Sequence, residues 1–118
     1  MNYTDCLFNF LQHQLTNFPK PDMFAAKENG SWRLYSTQEV KDTVDKLSLG
    51  LLALGIGGGN NIPVEQQDKI ALISKNRPEC LMLDFACQQV GVCLCPIYPT
   101  TNVTELEFIF NDAEVKYA

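Results

Sequence analysis

The segment from Lys69 to Thr101 constrains the fold most, because its pattern indicates a strand, a helix and a second strand. Residues 69–74 form an apolar run that is too short for a helix. Residues 78–90 are apolar on most sides, which is typical of a buried helix, and Gly91 supplies a left-handed stop. The apolar run over 92–98 is typical of a strand covered on both faces of a parallel sheet. The segment therefore predicts a βαβ unit with a right-handed crossover.

Two helices and a hairpin are predicted ahead of this unit. An apolar stripe with helical spacing predicts an amphipathic helix over 4–18, and a second stripe predicts a helix from Ser36 to about Leu54. Asn29-Gly30 predicts the turn of a hairpin over 23–35. We expect Trp32 to be a packing residue of that hairpin rather than a ligand-stacking residue.

Capping-box spacing marks three predicted helix starts. The three pairs are Ser36 with Glu39, Asn76 with Glu79, and Asn102 with Glu105. The last pair starts a predicted helix over 103–110, which Asn111-Asp112 ends, and a further strand is predicted over 115–118.

The alternation of strand and helix from Lys69 onward predicts an α/β fold with an incomplete doubly wound, mainly parallel sheet. Its parallel strands are predicted at 70–74, 92–98 and 115–118, with flanking helices, an N-terminal helix and the hairpin. We expect residues 1–118 to form a single, partial domain. Three strands cannot cover both faces well, and the last strand is an exposed edge.

Several sequence pieces, in this order and spacing, resemble the N-terminal region of AMP-forming acyl-CoA synthetases of the adenylate-forming superfamily. They are Asp68-Lys69-Ile70-Ala71-Leu72-Ile73-Ser74, Asn76-Arg77-Pro78-Glu79, and Pro96-Ile97-Tyr98-Pro99-Thr100 followed by Leu106 and Ile109-Phe110-Asn111-Asp112. Long-chain fatty-acid CoA ligases are the most similar branch, from about Phe18 to Ala118. These pieces identify a scaffold rather than a reaction centre.

The resemblance implies that the full-length protein converts a fatty acid, ATP and CoA into acyl-CoA, AMP and pyrophosphate through acyl-AMP, with Mg²⁺. In that family the phosphate loop, the adenine and ribose contacts and the catalytic lysine lie further along the chain. We therefore expect no catalytic, cofactor-binding or metal residue here, an inactive 118-residue chain, and the rest of the ligase chain as its partner.

Composition excludes several classes of protein. The 118 residues are 46% hydrophobic and 19% charged, as in an ordinary globular domain, and the net charge is −5. Without a basic cluster, nucleic-acid binding is not expected. The apolar runs are too short for a transmembrane helix, and the N-terminus lacks the basic flank of a secretory signal. We expect a cytoplasmic protein.

The loop over 55–68 is long, polar and rich in glycine, and its run Gly55-Ile56-Gly57-Gly58-Gly59 resembles a phosphate loop. A dinucleotide fingerprint follows a strand and opens a helix, whereas this run follows a helix and leads into polar coil. We interpret it as a helix stop followed by a flexible surface loop.

Polar residues at the predicted strand ends are the remaining candidates for chemistry. They are Ser74, Tyr98, Thr100 and Thr101, at the edge where ligands usually bind in parallel sheets. Because His13 lies in a different helix, no nucleophile–base pair is expected. Lys75 and Arg77 suggest an anion site, but a solvated charged turn is the favoured interpretation, since no glycine allows close approach.

The five cysteines are odd in number and have no CxxC spacing, so we expect reduced thiols that pack as small apolar residues. Two other functions stay open. One is a stand-alone module that forms homo-oligomers through an exposed sheet edge. The other is a small flavodoxin-like nucleotide binder that uses the strand ends. Titration with FMN and ATP would test it.

Overall fold

The computed structural model describes residues 6–59 and 61–118 of the chain. Its elements are α1 (Leu7–Asn17), β1 (Phe24–Glu28), β2 (Ser31–Tyr35), α2 (Thr37–Ala53), β3 (Lys69–Ile73), α3 (Pro78–Val90), β4 (Cys93–Ile97) and α4 (Val103–Asp112). Within the described residues, β1 and β2 pair antiparallel and β3 and β4 pair parallel. The predicted α/β class is confirmed, with the N-terminal helix, the hairpin and the flanking helices in their expected order.

The hairpin forms where the sequence predicts it. Glu28 lies opposite Ser31, so the connection is a two-residue loop. Asn29 and Gly30 have φ angles of 50° and 83°, and two positive values are what a type I′ turn requires. Trp32, however, is 67% exposed, with the Lys27 ammonium 5.9 Å from its ring centre. Trp32 is therefore not a core residue, and its contact is with its cross-strand neighbour Lys27 within the hairpin.

The hydrophobic core lies mainly between α2 and α3. The side chains of Val40 and Val44 on α2, and of Met82, Ala86 and Cys87 on α3, are at most 1% exposed. Val40 and Val44 are four residues apart, and Met82 precedes Ala86 and Cys87 by four and five residues, which places each set on one face of its helix. Burying a side chain the size of valine or methionine stabilises the fold by about 1.5–3 kcal/mol.

A polar contact also joins these two helices. Ser48 Oγ lies 2.6 Å from Gln89 Oε1 and 3.0 Å from the Val44 carbonyl oxygen. Gln89 Nε2 in turn donates to Asp45 Oδ1 at 3.4 Å. The buried hydroxyl therefore has acceptors on both helices and is not left unsatisfied.

The end of α3 follows its predicted pattern, but its burial does not. Gly91 has a φ angle of 69°, and the Val92 N–H donates back to the Cys87 carbonyl oxygen at 2.9 Å, so the left-handed stop is confirmed. Leu81 is 51% exposed, so α3 is buried on one face and is not a fully buried helix. Likewise, Leu94 in β4 is only half-buried, and this strand is not covered on both faces.

The third parallel strand is shorter than predicted. Tyr117 makes one parallel bridge with Ile70, on the edge of β3 opposite to β4. The Lys116 N–H donates to the Lys69 carbonyl oxygen at 3.1 Å, and the Ala71 N–H donates to the Tyr117 carbonyl oxygen at 2.8 Å. The direction and the edge fit the prediction, but no described residue pairs with the outer side of 115–117, and the pairing stays a single bridge.

Of the three predicted capping boxes, the one at α4 is complete. The Glu105 N–H donates to Asn102 Oδ1 at 2.9 Å, and the Asn102 N–H donates to a Glu105 carboxylate oxygen at 3.4 Å. At α2 only half of the box forms. Ser36 Oγ accepts from the Glu39 N–H at 3.1 Å, while the Glu39 carboxylate accepts from Arg33 at 2.8 Å.

The box predicted at Asn76 is wrong. The helix begins at Pro78, and Arg77 is its N-cap without a side-chain hydrogen bond to the backbone. The residue before a proline favours extended backbone, and Arg77 has φ and ψ angles of −156° and 156°. The Arg77 guanidinium also donates to both carboxylate oxygens of Glu79, each at 2.8 Å. Glu79 is therefore not available to accept from the backbone N–H of Asn76 and complete the capping box.

The predicted bounds of the terminal helices change slightly. Helix α1 begins at Leu7, and the predicted start at Thr4 lies outside the described residues. Leu11 is its only buried residue, while Leu7 and Phe18 of the predicted stripe are 65% and 62% exposed. Helix α4 continues through Asn111 to Asp112 instead of ending before them.

Candidate functional site

The carboxyl ends of β3 and β4 open into a cleft of about 390 Å³. Ser74 and Tyr98 line this cleft, together with Asn76 and Asp84, whereas Thr100 and Thr101 are not among its lining residues. The structure thus brings together two of the four residues predicted at this edge. Their placement agrees with the rule that residues following parallel strands meet at one end of a sheet.

The cleft does not contain an activated nucleophile. Ser74 Oγ donates to the adjacent Lys75 carbonyl oxygen at 2.9 Å, and Tyr98 is 82% exposed. His13 is exposed on α1, where its ring lies 6.0 Å from that of Phe18, and it is not among the lining residues. Hydroxyl catalysis needs a base within hydrogen-bonding distance, and the described residues of this cleft do not supply one.

The Arg77 side chain is already paired within the chain. Its guanidinium donates from Nε and Nη2 to the two carboxylate oxygens of Glu79, which is the bidentate geometry of a strong charge-assisted pair. These hydrogen bonds lower the pKa of Glu79 to about 2. The internal pair leaves Arg77 little free charge for an external anion, which favours the solvated-turn interpretation over an anion site.

The glycine-rich segment offers no amide cradle for phosphate. The Gly55 N–H donates to the Leu52 carbonyl oxygen at 3.0 Å, and the Gly58 N–H donates to the Val90 carbonyl oxygen at 2.9 Å. The Gly57 N–H donates to Asp68 Oδ2 at 3.0 Å. A phosphate loop needs such amides to point at its ligand, and these three already have acceptors. The phosphate-loop interpretation therefore fails on geometry as well as on context.

The same contacts correct the prediction of a flexible loop for its first part, residues 55–58. Gly57 has a φ angle of 77°, and a Cβ atom there would lie 2.5 Å from the Val90 carbonyl oxygen. The segment after α2 is thus held against the end of α3, and Ile56 is buried. A glycine is required at Gly57 because both the backbone angle and the close approach exclude a side chain.

The cysteines are free thiols that differ in burial. Each of the five is a free thiol, of which Cys87 is buried and Cys6, Cys80, Cys93 and Cys95 are half-buried. Burial raises the pKa of Cys87 to about 11 and also raises that of Cys95. Raised pKa values disfavour the reactive thiolate. At these two positions they support the interpretation that the cysteines are unreactive thiols that pack as small apolar residues.

A groove beside β1 was not predicted from the sequence. A groove of about 980 Å³ lies between β1 and the start of α3, lined by residues 23–28 and 76–81. A charged cluster of Glu28, Arg33 and Tyr35 lies beside this groove. The hairpin register could have indicated it from the sequence, because these three residues share one face of the hairpin. Tyr35 Oη donates to Glu28 Oε1 at 2.9 Å, and the Arg33 guanidinium lies 4.2 Å from the Tyr35 ring centre.

One arginine faces two carboxylates in this cluster. Arg33 Nη2 donates to Glu39 Oε1 at 2.8 Å and lies near the Glu28 carboxylate as well. Burial and the hydrogen bond to Glu28 raise the pKa of Tyr35.

Residues 6–59 and 61–118 contain no group of three or more His, Cys, Asp or Glu side chains placed to hold a metal ion. None of the helices described is long and apolar enough to cross a membrane.

Comparisons with known proteins agree on a family. A family model described as AMP-binding enzyme matches residues 11–118. The long-chain-fatty-acid–CoA ligase FadD15 of Mycobacterium bovis is 29% identical over 86 residues, which are 73% of this chain and 13% of that ligase. An uncharacterised protein of Mycobacterium tuberculosis is 30% identical over 108 residues, or 87% of this chain and 54% of that protein.

A solved structure confirms the fold. The Mycobacterium tuberculosis fatty acyl CoA synthetase matches 99% of this chain with a TM-score of 0.77 at 22% identity. The matched region is 22% of that synthetase. The arrangement of the elements described above is therefore one that occurs inside a much longer chain.

Proposed function

This chain belongs to the AMP-binding enzyme family, and on that premise we propose that it is the N-terminal scaffold of a long-chain fatty acid–CoA ligase. The complete ligase would join a fatty acid to CoA through acyl-AMP, consuming ATP and releasing AMP and pyrophosphate. Residues 1–118 would form the first part of its large N-terminal domain. The family match over 11–118, together with the similarity to relatives that are named as such ligases, carries the proposal.

The surface of the chain supports a role inside a larger domain. Its accessible area is 8229 Å², whereas a compact monomer of 13.3 kDa exposes about 6,450 Å². Its radius of gyration is 15.7 Å, against about 13.5 Å for a compact domain of this length. A scaffold that is covered by further parts of the same protein would have such a surplus of surface.

Two features that could have bound phosphate groups have their donors engaged within the chain. Three glycine amides of the glycine-rich segment have internal acceptors, and Arg77 is paired with Glu79. We therefore propose that residues 6–59 and 61–118 hold no catalytic, cofactor-binding or metal residue. The contribution of these residues would be to position strands β3 and β4 and the segments that follow them.

Reading the coding sequence past Ala118 tests this proposal at once. We expect an open reading frame of several hundred further codons that soon encodes a Ser/Thr/Gly-rich loop ending in lysine. A stop codon directly after Ala118 would contradict the ligase assignment.

A graft tests the scaffold role in a working enzyme. Residues 11–118 would replace the matching segment of FadD15, and acyl-CoA formation from palmitate would be measured. We expect measurable activity, since the elements superpose on a related synthetase. The matched control carries Val44→Asp in the graft, which places a charge in the α2–α3 core and should abolish activity. A soluble, folded graft with no activity would count against the proposal.

A homo-oligomerising interaction module is the second candidate. One observation favours it: since 108 residues are 54% of the uncharacterised mycobacterial relative, that protein is roughly 200 residues long and is far shorter than the ligases. In the described residues the outer edge of β1 is also unpaired, and an unpaired strand edge is a place for self-association. Sedimentation equilibrium over a hundredfold range of concentration tests it, and a monomer throughout would exclude it.

A further inference from the structure

We propose that the carboxylate of Asp68 couples two segments that are far apart in the chain, the turn at Gly57 and the residues after α4. One carboxylate oxygen, Oδ2, accepts from the Gly57 N–H at 3.0 Å. The other, Oδ1, accepts from Lys116 Nζ at 2.6 Å. Asp68 immediately precedes β3, so a single side chain joins both segments to the start of the parallel pair.

The Gly57 side of this contact is sterically defined. A Cβ atom at Gly57 would lie 2.5 Å from the Val90 carbonyl oxygen and 2.8 Å from Val92 Cγ2. The next residue, Gly58, donates its N–H to that same Val90 carbonyl oxygen. The turn therefore rests against the end of α3, and the Gly57 N–H points at Asp68.

The Lys116 side is held by few contacts. Two backbone hydrogen bonds attach 115–117 to β3, and the pairing is a single bridge. The Lys116 side chain is 63% exposed, whereas that of Asp68 is 19% exposed. The ion pair with Asp68 is thus one of three polar contacts that hold this segment at the start of β3.

Each partner prepares Asp68 for the other. The Gly57 N–H fixes the orientation of the carboxylate, so Lys116 meets an acceptor that has already lost its rotational freedom. Lys116 in turn strengthens the negative charge that the Gly57 N–H binds, since hydrogen bonds to ionised acceptors are stronger than neutral ones. Coupling between two sites is reciprocal, so docking of 115–117 and ordering of the Gly57 turn should each favour the other.

Native-state hydrogen exchange on the 118-residue chain tests this coupling. Lys116→Ala should lower the protection of the Gly57 amide about threefold or more, in the range expected for neighbouring groups of one network. The amide of Ala86, in the α2–α3 core, serves as the reference and should keep its protection. Lys46→Ala removes an exposed lysine of α2 and is the matched control, with no effect expected at Gly57.

A second variant separates coupling from simple loss of a contact. Asp68→Asn keeps an oxygen for the Gly57 N–H but removes the charge that holds Lys116, so protection of the amide at position 116 should fall as it does in Lys116→Ala. If Lys116→Ala lowers protection only at 116 and leaves Gly57 unchanged, Asp68 serves its two partners independently. That result would overturn the proposal. Lys116 and Lys46 are both exposed, so neither substitution should disturb the core.

Discussion

Helices α3 and α4 are both rich in apolar residues but differ in how deeply those residues are buried. Met82, Ala86 and Cys87 of α3 are at most 1% exposed. No residue of α4 is buried, and its Val103 and Phe108 are 79% and 69% exposed. Helical spacing therefore specifies that a face exists, but whether that face is buried depends on a partner surface.

The partner surface explains the difference. Helix α3 meets α2, which presents Val40 and Val44 on a matching face. Helix α4 has a complete capping box at its start, and its apolar residues Leu106, Ile109 and Phe110 are only half-buried. We infer that α3 belongs to a core that this chain completes, whereas α4 is formed by local interactions and is suited to being covered.

The largest expected effect tests the comparison directly. Met82→Ala should lower the free energy of unfolding by about 2–5 kcal/mol, because it leaves a cavity in a filled core. Phe108→Ala on α4 removes a larger side chain but should change it by less than about 0.5 kcal/mol, since that ring is exposed. Urea unfolding followed by circular dichroism measures both. Equal losses would show that α4 is packed as tightly as α3.

A pair of glycine substitutions extends the comparison to the backbone. Gly57→Ala should destabilise the fold by about 1–3 kcal/mol, because the left-handed angle and the contact with the Val90 carbonyl oxygen both oppose a Cβ atom. Gly50→Ala in α2 meets nothing within 4 Å and should stabilise the helix by about 0.5–1 kcal/mol. Thermal unfolding of the two variants checks the opposite signs, and a stable Gly57→Ala would contradict the docked turn.

Features with a local cause could be predicted from the sequence. The Asn29-Gly30 turn, the Gly91 stop and the Asn102–Glu105 capping box each depend on residues within a few positions, and each is confirmed. The order of the elements and the parallel pair also followed from periodicity. The family resemblance, carried by short pieces of sequence, agrees with the family match.

Features with a distant cause could not be predicted. The Gly57 turn is held by Val90 and Asp68, and nothing near Gly57 in the sequence indicates these partners. The groove beside β1 depends on how the hairpin sits against α3. One feature with a local cause was also missed. The capping box predicted at Asn76 was wrong because Glu79 pairs with Arg77, and the capping pattern does not reveal which of these two local partners Glu79 takes.

Two N-cap substitutions should have smaller and different effects. Ser36→Ala should lower the free energy of global unfolding by about 1 kcal/mol, since Ser36 caps a helix of the core. Asn102→Ala should unwind the first turn of α4 with less change in global unfolding, because α4 is not part of that core. Thermal unfolding measures the first effect, and amide exchange at Glu105 measures the second. A larger global loss from Asn102→Ala would reverse the assignment of the two helices.

The smallest expected effect is the pH dependence of the Arg77–Glu79 pair. The pKa of Glu79 in the fold is about 2, below its ordinary value of 4.5, so the pair stabilises the protein above pH 4.5. That contribution should be lost as the pH falls from 4.5 towards 2. Because both side chains are about half exposed, the effect should be modest. Unfolding of Arg77→Gln and of the parent at pH 6 and pH 3 should show a difference that shrinks at the lower pH, and a constant difference would contradict it.

The central claim is that this chain is scaffold without a reaction centre of its own. The most direct measurement is release of pyrophosphate by the purified 118-residue chain with ATP, Mg²⁺, CoA and palmitate, with FadD15 as the positive control. We predict no release above the blank without palmitate. Palmitate-dependent release that persists through repurification would contradict the claim and would place catalytic residues within this sequence.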